Sequence, residues 1–239
     1  MAMIQANQLA KELLYMADDE WVIGSFLAEM SGGGPFVEEN VAISSIAQDE
    51  IGHAEIIYNE ILDLDSAFQW ESADGFVHQR PVSGFKVSAL VSAKTIDWAA
   101  IIVQHYFYEA ADQYRVSQLI EVVEGRTKNV LGQMAREERY HHRHWHTWLS
   151  KMSATLEGKR RIQEEIYHYW PKLAGFFHGT FLADDQTTFQ SVKKELTTLG
   201  FATPEIKEGF SGRGVLSDDV KLLITRSRVL VEGMSGGKW

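Results

Sequence analysis

Six residues in this chain have the types and spacing of a two-metal site. Glu20 is followed 30 residues later by Glu50, and Glu109 is followed 29 residues later by Glu138. Each second glutamate opens a Glu-x-x-His, ending at His53 and at His141. Positions i and i+3 share one helix face, so Glu50 with His53 can grip one metal ion and Glu138 with His141 another. Glu20 and Glu109 complete or bridge the pair. Four carboxylates neutralise two divalent ions and leave two neutral imidazoles to finish the shell. Oxygen and imidazole ligands without thiolate suit iron, with manganese as the alternative, and iron is the better match for oxygen chemistry. The chain has no cysteine. That removes disulfides, thiolate metal sites and the usual iron–sulfur ligation.

A single Glu-x-x-His carries little information in a chain with 9 histidines and 33 acidic residues; its ordinary meaning is a solvated helix face. Two such pairs, each trailing a glutamate by about 30 residues, are a different matter. The competing reading is a satisfied polar core.

The elements that must position these groups follow from the breakers. Only four prolines occur, and Ser31-Gly-Gly-Gly-Pro35 is a strong break while Gly125 is a weaker one. The pattern predicts helices over 5–30, 37–64, 94–123 and 127–152, with a long crossover over 66–92. Three further helices are expected over 159–178 (interrupted at Pro171), 185–199 and 217–232, with a loop at 211–215. No useful β-alternation is present. A helix pair, a long crossover and a second pair is the order of a ferritin-like four-helix bundle, so the expected class is all-α with additional C-terminal helices. The reading assigns 1–156 to the metal-carrying bundle and 157–239 to a helical extension packed on it, within one domain.

Each predicted helix has one stripe at alternating steps of three and four. Helix one reads Leu9, Leu13, Met16, Glu20, Ile23, Leu27. Helix two reads Ile43, Ile46, Glu50, His53, Ile57, Ile61. Helix three reads Trp98, Ile102, His105, Glu109, Asp112, Val116, Leu119, and helix four Leu131, Met134, Glu138, His141, Trp145, Trp148. The stripes are largely apolar except near mid-length, where buried carboxylates would each cost several kcal/mol without a cation. In an antiparallel hairpin about 15 residues up and 15 back return to the same height, roughly 22 Å from the turn.

A second tier surrounds the six. Asp49 and Glu137 adjoin ligand glutamates and can accept from a ligand imidazole; a helix-flank charge is the alternative for both. His105 and Asp112 share the stripe with Glu109 and read as groups around the metals or lining a pocket, or as hydrogen-bonded core. In the run 141–146, only His141 falls on the stripe at the right height, so His142, His144 and His146 read as surface or interface groups. Tyr58, Tyr106 and Tyr140 read as packing residues near the site's layer. The basic face with Arg136, Arg139 and Arg143 is the candidate contact for an anionic substrate tail, such as the phosphates of coenzyme A.

Bulk properties narrow the field. A net charge of −10 and a pI near 5.4 disfavour nucleic acid as a partner. No apolar run approaches a membrane span, and the opening residues lack the pattern of a signal peptide, so a cytoplasmic location is expected. No Gly-x-Gly-x-x-Gly follows a strand, so reducing power must come from a partner.

At these residues the chain resembles the bacterial phenylacetyl-CoA ring-epoxidase (phenylacetate-CoA oxygenase) subunits. The resemblance covers nearly the whole chain. It is carried by Ala47-Gln-Asp-Glu-Ile-Gly-His-Ala54, His105-Tyr-Phe, Arg136-Glu-Glu-Arg-Tyr-His141 with Trp148-Leu, and the ending from Ser211-Gly-Arg-Gly-Val215 to Gly-Gly-Lys-Trp239. It implies an oxygenase subunit that epoxidises the ring of an aryl-CoA thioester. O2 would be the co-substrate, and a separate reductase would supply electrons. It also implies association with a paralogous partner, either the catalytic or the structural member, in a homo- or hetero-oligomer. Length, the spacing of the first two helices and the C-terminus are similar to the structural member, whereas the filled ligand set is similar to the catalytic one. An iron- or peroxide-handling ferritin-like protein remains the alternative outside this family.

Overall fold

Nine α-helices and one 3-10 turn account for the ordered elements of the computed structural model, which describes residues 6–64, 72–93, 95, 97–180, 182, 186–206 and 213–234. The helices are α1 (Ala6–Glu29), α2 (Val37–Leu64), α3 (Ala73–His78), α4 (Ala89–Ser92), α5 (Trp98–Val122), α6 (Gly125–Ser153), α7 (Leu156–Ala174), α8 (Gln186–Thr198) and α9 (Asp218–Met234), with the 3-10 turn at Val82–Gly84. No strand occurs among the described residues, so the protein is all-α. The order of hairpin, crossover, hairpin and further C-terminal helices is that of a ferritin-like bundle. Expected segments at 66–71, Lys94, Asp185, 211–212 and the final five residues lie outside the described residues.

The four long helices agree with the expected spans to within a few residues, and the departures have local causes. Helix α5 begins at Trp98, where the Asp97 side chain accepts from the Ala100 N–H at 3.0 Å and ends the preceding extended backbone. Gly125 takes φ +63°, the left-handed value the tight α5–α6 turn needs. The crossover is partly helical: α3 is capped by Ser72 and α4 by Ser88. Helix α7 runs through Pro171 instead of breaking there. Pro171 falls in the last turn, so the helix loses one late hydrogen bond and not its middle. Tyr169, Trp170 and Leu173 around it are buried.

The chain gathers into two compact units. One lies within Gln5–Val87 and Gly214–Trp239 and is built on the α1–α2 hairpin, with α3 and α9 against it. The other lies within Ser88–Arg213 and is built on the α5–α6 hairpin, with α4, α7 and α8 packed on α5. In each unit the first helix of the pair is buried all round at mid-length. Residues 16–24 of α1 and 99–109 of α5 are buried without interruption.

Candidate metal centre

The α1–α2 hairpin brings Glu20, Glu50 and His53 together at one height. Their ligand-type atoms lie within 4.8 Å of one another, and His53 Nδ1 is 3.6 Å from Glu20 Oε2. Both carboxylates are fully buried and His53 is 3% exposed. The close approach of the helices here depends on Gly24, one turn after Glu20. A Cβ on Gly24 would stand 2.7 Å from Glu50 Cβ and 3.1 Å from the Ala47 carbonyl oxygen. Only glycine lets α1 lie this close to the ligand turn of α2.

The α5–α6 hairpin repeats the arrangement. Glu109, Glu138 and His141 have ligand-type atoms within 4.8 Å of one another. His141 Nδ1 is 3.8 Å from Glu138 Oε2 and 4.0 Å from Glu109 Oε2. All three are buried. Gln113, one turn beyond Glu109, donates from Nε2 to the backbone carbonyl of Glu138 at 3.1 Å and ties the two ligand helices at that level.

Each hairpin therefore holds two buried carboxylates and one imidazole in a small volume. Like charges this close, out of water, cannot both stay ionised without a neighbouring cation or a proton. Hard oxygen donors plus imidazole suit a divalent iron or manganese ion. The residues present fit such a metal.

Other candidates fall in three places. Asp112 and His105 are buried beside the second cluster. Asp112 accepts from Arg115 Nε at 2.6 Å, and Arg115 also donates to Tyr108 OH at 3.1 Å. His105 stacks on Trp145 with centroids 4.6 Å apart. Burial, with smaller contributions from His141 and His144, pushes its pKa down to about 3, so the ring is neutral. Asp49 is exposed, and Glu137 accepts from Gln133 at 3.2 Å on the outer face of α6. The reason is helical rotation: a residue next to a ligand points about 100° away from it. Arg136, Arg139 and Arg143 are exposed, Arg136 donating to the Gly132 carbonyl. Tyr140 is on the surface, whereas Tyr58 and Tyr106 are buried.

His142 and His146 lie beside the Tyr106 ring, and Tyr106 donates its hydroxyl to Glu195 of α8. Burial raises the pKa of Tyr106, and Glu195 adds to the effect. A cavity of about 410 Å³ opens next to this group, lined by Gln113, Tyr114, His142, Thr188, Ser191 and Glu195.

Sequence reasoning missed a buried network in the first unit. Asp18 accepts from Arg80, from Tyr58 OH at 2.7 Å and from the Lys86 N–H at 2.6 Å, and Arg80 lies 4.0 Å over the Phe85 ring. Burial draws the Arg80 pKa down, but Asp18 and Tyr58 together more than offset this and the net direction is up. Asp18 was legible only as an acid close to a ligand. Its charged partner comes from the crossover, more than 60 residues away, and no local signal points to it. Gly24 did carry a signal: a glycine inside a long helix costs about 1 kcal/mol against alanine, which marks a close approach.

No helix of the described residues is long and apolar enough to cross a membrane. A component of the 1,2-phenylacetyl-CoA epoxidase of Escherichia coli (strain K12) is 24% identical over 172 residues, covering 72% of this chain and 68% of that protein. The family model described as phenylacetic acid catabolic protein matches residues 1–210, a span that takes in both hairpins and all six glutamate and histidine groups, and the chain belongs to that family.

Proposed function

We propose that this chain is an oxygenase subunit of a multicomponent di-iron monooxygenase that epoxidises the ring of phenylacetyl-CoA or a close aryl-CoA thioester. The observation that carries the reading is the repeated half-site: a buried Glu faces a buried Glu-x-x-His in each hairpin, with the imidazole 3.6–4.0 Å from the partner helix's carboxylate. Glu20, Glu50, His53, Glu109, Glu138 and His141 together would hold two metal ions, iron by preference. Bound iron would supply the reduction of O2 that ring epoxidation needs. The chain's own contribution is the ligand set, the exclusion of water by burial, and a fixed height for the ligands within each hairpin. His105 adds a neutral imidazole next to the second half-site. The exposed Arg136, Arg139 and Arg143 give α6 a positive outer face for the coenzyme phosphates. A separate reductase and a paralogous partner make up the rest of the system, and the assignment of 1–156 to the metal-carrying part belongs to the same proposal.

Metal content tests the central claim. Folded protein loaded anaerobically with Fe(II) is expected to retain about two iron atoms per chain, the stoichiometry of such bundles. A value near zero in protein with a cooperative unfolding transition refutes it. Aerobic incubation with a reductase and phenylacetyl-CoA should then add one oxygen atom to the substrate, read by mass. The resemblance to the family's structural member in the spacing of the first two helices supports a second reading: a structural member of the same complex that retains its metal for stability. Glu50→Ala separates the two: lowered stability with no catalytic deficit in the reconstituted complex favours the structural role. Ferroxidase activity with assembly into a cage would instead identify an iron-handling protein.

A further inference from the structure

Trp145, Trp98 and Trp148 form a run of neighbouring rings that begins one turn from His141 and leads to half-buried Trp98. Trp145 lies one turn beyond His141 on α6 and is fully buried. On one side its ring stacks on His105, 4.6 Å between centroids and 26° between planes. On the other side it meets Trp98, the first residue of α5, at 6.2 Å. Trp98 meets Trp148 edge-to-face at 5.2 Å. Trp98 is half-buried and Trp148 is 7% exposed. All of these residues belong to one unit.

Packing alone would explain large rings in a core, but two details point further. The Nε1–H groups of Trp98 and Trp145 are buried with no hydrogen-bond partner among the described residues. An indole that loses an electron there has no base to take its proton, so the electron can be returned without a proton having to come back. Lys151 Nζ stands 4.8 Å over the Trp148 ring. A cation there favours the electron-rich ring and disfavours its oxidised form, which leaves Trp98 as the exit.

We propose that Trp145 and Trp98, with His105 one turn before Glu109 on α5, relay single electrons between the Glu109–Glu138–His141 half-site and the surface. The inference rests on the metal reading above. In the outward direction, an oxidant formed at the cluster from O2 or peroxide takes one electron from Trp145 and is itself reduced by one. Trp145 becomes a radical cation that keeps its Nε1 proton. An electron from Trp98 refills Trp145, and a thiol or ascorbate in solution refills Trp98 and is oxidised in turn. Short steps between touching rings outpace one long transfer, because transfer rates fall exponentially with distance.

Two arms test it, and the first needs no metal. Azide radicals generated by pulse radiolysis take one electron from accessible indoles and become azide. In metal-free protein the oxygenated product is expected on the fully buried Trp145 as well as on Trp98, located by peptide mass spectrometry. Trp98→Phe should abolish the Trp145 product, and Trp98→Tyr, which keeps an oxidisable ring, should restore part of it. An unmodified Trp145 in the parent protein, or a Trp145 product that survives Trp98→Phe, overturns the relay. Thermal midpoints of both variants confirm the fold. In the second arm, Fe(II)-loaded protein with its iron counted is treated with hydrogen peroxide. Product at Trp98 that disappears in Trp145→Phe supports outward transfer, and product that persists overturns it. If no iron binds, transfer from the cluster falls with the metal reading, and success of the azide arm then upholds only the Trp98–Trp145 step.

Discussion

Gly24 is the residue through which the geometry of the first half-site can be tested most directly. An added Cβ would stand 2.7 Å from Glu50 Cβ and 3.1 Å from both the Ala47 carbonyl oxygen and Ile51 Cγ1. Carbon atoms pack best at about 3.5–4.0 Å, so α1 and α2 must separate by roughly 1 Å at the ligand level. The obstructing atoms are a Cβ and a backbone oxygen, which cannot swing aside as a side-chain tip would. Two effects oppose each other in Gly24→Ala. Helix propensity favours alanine by about 1 kcal/mol, and overpacking costs about 1–3 kcal/mol. The expected net change is a loss of about 0–2 kcal/mol. Gly52, on α2 just before His53, is the control: a Cβ there meets nothing within 4 Å. Gly52→Ala should therefore stabilise by up to about 1 kcal/mol, and the difference between the two variants isolates the contact. Urea unfolding gives both stabilities, and anaerobic Fe(II) titration gives their metal retention, which should weaken in Gly24→Ala alone. Equal stabilities and equal metal binding in the two variants would show that α1 and α2 are not held at contact distance by this glycine.

Three further outcomes are expected. Arg80→Met strands the buried Asp18 carboxylate and should cost about 3–5 kcal/mol, with most of it recovered in Arg80→Met/Asp18→Asn; a single-variant loss of no more than about 0.5 kcal/mol, the range of a surface change, removes the buried pair from the account. His105 titrates near 3 when folded and about 6.5 when unfolded, so the unfolded chain takes up its proton first as the pH falls. Stability is complete above pH 6.5 and falls below it with a slope of up to about 1.4 kcal/mol per pH unit from this group. His105→Phe should flatten the fall between about pH 6.5 and 3, and parallel unfolding curves for the two proteins would contradict a buried neutral imidazole. Finally, Arg136→Glu/Arg139→Glu/Arg143→Glu should raise KM for an aryl-CoA in the reconstituted system, leave kcat in place, and weaken the salt dependence; an unchanged KM moves the coenzyme phosphates to another face.

Much of the fold was legible because the signals were local. Ser31-Gly-Gly-Gly-Pro35 and Gly125 marked the hairpin turns, and α2 occupies the expected span to the residue. The limits appear where a side chain outside the helix decides its end, as Asp97 does for α5, or where a breaker falls late enough to be absorbed, as Pro171 does in α7. Among second-tier groups, Asp112 lies in the expected layer, and its bond to Arg115 agrees with the hydrogen-bonded-core alternative. The salt bridge to Arg115 is three residues along the same helix, so its spacing was readable.

The sequence by itself determined the pairing of each glutamate with its Glu-x-x-His. A spacing of about 30 residues in an antiparallel hairpin returns the chain to the same height, and a 3.6-residue repeat keeps i and i+3 on one face. Both are properties of a regular helix and need no tertiary information. The tertiary structure alone decided which helices have no solvent face. A stripe of apolar residues predicts one buried side, yet α1 and α5 are buried on every side around Glu20 and Glu109, because the crossover and the later helices cover what the stripe leaves open. That coverage turns Asp18, which lies off the apolar stripe, into a buried ion pair with Arg80, and it seals the Asp112–Arg115 pair from solvent. The packing that buries them joins residues far apart in the chain, and helical periodicity carries no information about it.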